Sequence, residues 1–162
     1  MLPGRWSTRC STAPSRISRF VFASTPRVDK RAELALVDCD GIIAGHCGIP
    51  FSDIIDGRLW HNSGAIGMPA NDGTPRVWYS IIEPADGGGV RISHRALDYD
   101  HARAARSMRE AGLPSAYEAA LGTGAWPSCD VLPQKEIYAA GIPLEAGSIV
   151  WCSRYGCRTA DR

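Results

Sequence analysis

Gly45-His46-Cys47-Gly48-Ile49-Pro50-Phe51 and, after a short link, Leu59-Trp60-His61-Asn62-Ser63-Gly64-Ala65-Ile66-Gly67-Met68-Pro69-Ala70-Asn71-Asp72-Gly73 decide how this chain is read. Each is a polar, glycine-rich loop that continues from a short apolar run. Glycines 45, 48, 64, 67 and 73 permit positive φ and close backbone approach, while Asn and Asp tolerate left-handed conformations. Loops of this kind can turn several N–H groups towards one point, as anion and metal sites require. Composition alone leaves plain tight turns as an equal reading.

Outward from the loops, Ile42-Ile43-Ala44 has the length and β-branched content of a buried strand, with His46 just past its end. Arg58 to His61, Arg76 to Glu83 and Val90 to Leu97 read as further strands. The last two form a hairpin across Asp86-Gly87-Gly88-Gly89. Lys30 to Val37, Asp100 to Ala111 and Ser115 to Leu121 read as helices, the second stopped by Gly112 and the third begun after Pro114. Phe20-Val21-Phe22 resembles a buried strand. From Ala125 to Glu136 there is no period and several breakers, which predicts a loop or extended cover, and the chain holds no internal repeat.

In these motifs the sequence resembles the C-terminal half of the calcineurin-like metallophosphoesterases. That family carries Gly-His-x-His at a strand end followed by a residue and Pro, then Asn-x-Gly-Ser-x-Gly-x-Pro, then an aromatic-containing strand. Gly45 to Pro50, Asn62 to Pro69 and Pro75-Arg76-Val77-Trp78-Tyr79 match in that order, over about residues 40 to 97. The helix with Ala102 and Met108 matches the family's terminal helix. The resemblance implies an α+β fold: a partial β-sandwich, contributed here as one mainly antiparallel or mixed sheet with flanking helices, the N-terminal half missing. It further implies hydrolysis of phosphoesters with two divalent cations, Mn, Fe, Zn or Mg.

Two departures limit the activity that the resemblance can carry over. The second His of Gly-His-x-His, a metal ligand, is Gly48 here. The Asp-x-His, Gly-Asp and Gly-Asn-His motifs of the family's other half are absent: no His has Asp two positions before it, no Gly-Asp pair exists and no Asn precedes a His. Two cations about 3.5 to 4 Å apart repel each other and need a bridging carboxylate with several converging oxygen and nitrogen ligands. The resemblance therefore leaves His46 as the metal ligand, Gly45, Cys47, Gly48, His61, Asn62 and Gly64 as framework, and no catalytic residue. The expectation is a chain that holds no cation stably and is inactive alone, whether as a truncated enzyme or as a noncatalytic interaction module. Its partner would be the N-terminal half or another copy of itself, covering an exposed sheet, with a phosphoester as substrate once complete. Asp53 and Asp72 lie nearby but read as turn formers.

Composition agrees with one domain. The chain has 162 residues, 44% apolar, and a net charge of +1, which gives no bulk attraction to nucleic acid or anionic membrane. Charge or proline interrupts every apolar run short of a membrane span, so the expectation is a soluble protein. Residues 1 to 28 hold five Arg and no acid, a basic arm, and the remainder carries thirteen basic and seventeen acidic side chains. The acid-free, Ser-rich arm has the composition of an organelle transit peptide, which opens a plastid or mitochondrial location beside the cytoplasmic one. The division expected is an arm at 1–28, the resembling unit at 29–125 and an extended Trp- and Cys-containing tail at 126–162.

The six cysteines (10, 39, 47, 129, 152 and 157) form no CxxC pair and read as reduced thiols. Cys47 with His61 as base lacks an orienting third group, and a thiolate ligand suits zinc better than manganese or magnesium. His94 alternates with Ile92 and Ala96 and reads as a core or edge histidine, His101 as solvated. The Arg103, Arg106, Arg109 row reads as a solvated face, and Trp60, Trp78, Trp126 and Trp151 as sheet packing.

Overall fold

A computed structural model of the chain describes residues 20–153. In order they form α1 (Arg27–Ala35), β1 (Gly41–Ala44), β2 (Phe51–Ile55), β3 (Arg58–Asn62), β4 (Val77–Pro84), a 3-10 turn (Asp86–Gly88), β5 (Val90–Leu97), α2 (His101–Glu110), α3 (Ser115–Thr123), α4 (Gln134–Tyr138) and β6 (Ser148–Trp151). Among them no helix is long and apolar enough to cross a membrane.

The strands make two three-stranded sheets where the sequence predicts one. The first has the order β1-β3-β2, with β1 parallel and β2 antiparallel to β3. The second, β4-β5-β6, is antiparallel throughout. The mixed α+β character is as expected. β1 and β3 do not pair with β4 and β5, and β2 and β6, two strands beyond those that the sequence predicts, complete the two sheets. β2 joins β3 through Asp56-Gly57, both at positive φ (51° and 77°), the backbone of a two-residue hairpin turn whose twist matches the strands.

Alternation gives the first sheet two faces. Phe51, Ile55, Trp60 and Ile42 lie on one and pack with Val21 and with Leu34 of α1. Lys30, also on α1 and only 1% exposed, is held there by Asp53 Oδ2 at 3.1 Å and Ala23 O at 2.7 Å, above the Phe51 ring. A buried ammonium is tolerated because both partners reach it. From the other face Leu59 meets Val90 and Ile92 of β5, with Ile149 and Trp151 of β6 against them, and Trp151 Nε1 donates to Gly57 O at 3.1 Å. These contacts join the two sheets.

Asp100 caps α2 by accepting from Arg103 N at 2.9 Å, and Gly112 at φ 66° turns the chain into α3. Ala104, Ala105 and Met108 form the half-buried side of α2, and Arg109 Nε donates to Glu118 on α3 at 2.9 Å.

Several expectations need correction. Phe20–Phe22 is not a strand; Val21 and Phe22 are buried as a turn in which Phe22 N donates to Thr25 Oγ1. The aperiodic segment from Ala125 is loop, as expected, until α4 begins at Gln134, and β6 follows later in the tail. Glu136 of α4 is buried because it accepts from Ser24 N at 2.8 Å, and β6 completes the second sheet. Cys152 is disulfide-bonded, so not all six thiols are reduced. Residues 1–19, most of the basic arm, and 154–162, the end of the tail, lie outside the described residues.

Candidate functional site

The parallel pairing of β1 with β3 sets Ala44 beside Asn62, so both glycine-rich loops leave the sheet at the same end. Ser63 N donates to Ala44 O at 2.9 Å and continues the ladder one step. Asn62, 1% exposed, points back under the first loop and its Nδ2 donates to Cys47 O at 2.5 Å and Ile49 O at 2.8 Å. One amide thus satisfies carbonyls on both sides of Gly48 and fixes the loop. Its Oδ1 is buried without a hydrogen bond.

Gly64 brings in the third motif. Its φ is +84°, and a Cβ there would stand 2.8 Å from Trp78 Cβ, so conformation and space both require glycine. Gly48 O lies 3.3 Å from the same point. Motifs scattered from residue 45 to residue 79 therefore meet at one place, which is how the sequence grouped them.

His46 is exposed at this end, its ring centroid 5.9 Å from that of Phe20. Cys47 beside it is buried, in a cluster with Phe22 and Leu132. Burial pushes its thiol up, only partly offset by a backbone hydrogen bond from Val21, which disfavours the thiolate needed of a nucleophile or soft ligand. His61 follows the strand's alternation to the opposite face from Asn62. It is fully buried, with Nδ1 2.8 Å from Ser52 Oγ and its ring centroid 5.0 Å from that of His94. Ser52 Oγ is also 2.9 Å from His94 Nε2, and Ser80 Oγ lies 3.3 Å from His94 Nδ1. Burial, then the neighbouring His94, lowers the His61 pKa to about 4, and burial lowers that of His94. Both rings are neutral core groups between the sheets, the role the sequence gave His94 alone.

The aspartates near the loops are engaged elsewhere. Asp53 is a strand residue paired with Lys30 and Arg27. Asp72, 1% exposed, does form a turn: it accepts from Thr74 N and Oγ1 at 3.1 and 2.7 Å, from Leu144 N at 3.0 Å and from Arg76 Nη2 at 3.4 Å. Among the described residues no group of three or more His, Cys, Asp or Glu side chains could hold a metal ion. The donors therefore do not fit a two-cation centre: one exposed imidazole, a buried asparagine with a single oxygen to offer, a thiol that favours its proton, and two carboxylates bound to other partners.

Trp126, read from the sequence as sheet packing, instead lies against the first loop. Its indole Nε1 donates to Pro69 O at 2.7 Å and its backbone N to Asn71 Oδ1 at 2.8 Å, which places the ring over Gly48. No local pattern marks it, because the contact joins segments far apart in sequence.

No family model matches the chain, and no curated protein does. Among solved structures it is similar to a metallophosphoesterase from Sphaerobacter thermophilus, with 26% identity and a TM-score of 0.50. The match covers 61% of this chain and 48% of that one, so this chain spans about half the length of that relative. The likeness supports a phosphoesterase-like family at its weakest level, that of one fold and a quarter of the matched residues.

Proposed function

We propose that this chain is the C-terminal part of a metallophosphoesterase-like protein, to which it brings the His46 loop, and that by itself it does not hydrolyse phosphoesters. The observation that carries the reading is the convergence of the three motifs through Asn62, Gly64 and Trp78, in the order the family has them. The solved metallophosphoesterase adds support from outside the sequence. His46 is the metal ligand in this reading. Gly45, Gly48, Asn62 and Gly64 shape its loop, Cys47 is packed beneath it, and His61 steadies β3 from the other face. The divalent cation would polarise a phosphoester in the assembled protein; this chain's part is to hold one imidazole at the strand end. The cytoplasm is the proposed location.

A second reading has one observation in its favour. Ile43 is 66% and Ile54 39% exposed on one face of the first sheet, and β1 is a parallel strand at the sheet's edge. Parallel strands are usually covered. A module that docks a partner there, either an N-terminal half or another copy, would cover both isoleucines.

The test is turnover of an aryl phosphate by the purified chain with manganese. No activity above background is expected, and metal-dependent turnover abolished by His46→Ala would overturn the proposal of inactivity. Calorimetric titration with Zn2+ should give weak binding that His46→Ala removes; binding indifferent to that substitution counts against the ligand role. DNA upstream of Met1 that encodes Asp-x-His and Gly-Asn-His favours the truncated enzyme, and its absence favours the module.

A further inference from the structure

We propose that Trp126 closes position 48 against any side chain, so that the loop offers His46 as a metal ligand and cannot offer a second, even in an assembly that supplies the remainder of the centre. The ligand part rests on the metallophosphoesterase reading, in which position 48 is a ligand position; the closure rests on geometry alone.

A Cβ built on Gly48 lies 2.8 Å from Trp126 Cζ2, 3.6 Å from Cε2 and 3.5 Å from Pro69 O. Side-chain carbons do not approach heavy atoms to 2.8 Å, so either the ring or the loop would have to move. Trp126 is held at two points by Pro69 O and Asn71 Oδ1, and its ring packs against the cluster of Phe22, Cys47 and Leu132. The loop is held on both sides of the glycine by Asn62 Nδ2. Gly48 is not among the glycines at positive φ, so its backbone is one that other residues adopt. Space, not conformation, demands the missing side chain.

An imidazole at 48 needs room for a ring beyond the Cβ, and the indole edge already stands there. The loss of the family's second histidine is therefore built into the packing and is not a lone substitution that reversion would repair. A cation at this loop would meet one imidazole from positions 46 and 48, with the Phe20 ring 5.9 Å from that of His46 and the Trp126 ring against Gly48.

The experiment is a double-mutant cycle of Gly48→His and Trp126→Ala in the full chain, read by thermal unfolding and by Zn2+ titration. Gly48→His alone should lower Tm by about 5 °C or more, as overpacking does in a chain of this size. In the Trp126→Ala background the same change should cost about 2 °C or less. An equal loss in both backgrounds overturns the closure. Should Gly48→His fail to fold, Gly48→Ala replaces it in the cycle, since the Cβ alone makes the contact. The double variant, with two imidazoles on the loop, should bind Zn2+ at least about tenfold more tightly than Trp126→Ala. Recovered stability without that gain overturns position 48 as a ligand position while leaving the closure standing.

Discussion

His61 and His94, on strands of different sheets, share the hydroxyl of Ser52, at 2.8 Å from one ring and 2.9 Å from the other. A single hydroxyl can donate to one ring nitrogen and accept from the other, so the arrangement fits neutral imidazoles of complementary tautomer. Two imidazolium ions with centroids 5.0 Å apart, one ring buried and the other half-buried, would repel each other.

Acid should therefore loosen the contact between the sheets. The folded pKa of His61 is lowered to about 4, below the value of about 6.5 for an unfolded histidine. The unfolded chain binds the proton more readily, so this contribution is complete above about pH 6.5 and is lost as pH falls towards 4. Urea midpoints between about pH 7 and pH 4 should record a loss of about 2 to 3 kcal/mol. His61→Gln should flatten most of that slope, and a slope unchanged by the substitution would count against the assignment.

Asn62→Ala removes both hydrogen bonds to Cys47 O and Ile49 O and leaves the two carbonyls without that donor. The expected loss is about 2 to 3 kcal/mol by denaturant unfolding, with faster amide hydrogen exchange across residues 46–49 than elsewhere in the first sheet. Equal acceleration throughout the sheet would mean that the amide supports the fold generally and not this loop.

Asp53→Asn leaves the Lys30 ammonium buried beside a neutral amide and should cost about 3 kcal/mol. Lys30→Met removes the charge itself, which lies 5.0 Å from the Phe51 centroid, and keeps an unbranched apolar side chain, so it should cost no more than about 1 kcal/mol. The order of the two midpoints is the check.

Gly64→Ala meets both a left-handed backbone and the Trp78 side chain. A loss of about 2 kcal/mol or more in thermal unfolding is expected. Gly67→Ala has open space around its Cβ and should lie within about 1 kcal/mol of the parent.

Much of the fold could be read in short stretches because the forces there are local. The β4–β5 hairpin and the α2–α3 pair came from strand propensity, Asp86 to Gly89, Gly112 and Pro114. β2 escaped although Asp56-Gly57 between Phe51–Ile55 and Arg58–Asn62 is a strong hairpin signature, because Ser52 and Asp53 break the apolar run of the first strand. β6 has four residues, of which Ile149 alone joins the apolar cluster besides Trp151, and nothing in its sequence names β5 as its partner. The candidate site was legible as three motifs. What escaped was every relation set by tertiary packing: His61 turned away from Asn62 and towards His94, and Trp126 laid over Gly48. Alternation along β3 would have predicted the first, had the strand been extended to Asn62.

Asn71 and Asp72 form the junction where the late part of the chain is tied to the early part. Asn71 receives Trp126 N and Gly141 N, and Asp72 receives Leu144 N. On a ribosome these partners emerge long after the loop they secure, so a nascent chain ending before residue 126 would lack the groups that bind there. The glycine-rich loops thus reach their final shape only after Leu144 has been made, and until then the growing polypeptide would be a natural client for chaperones.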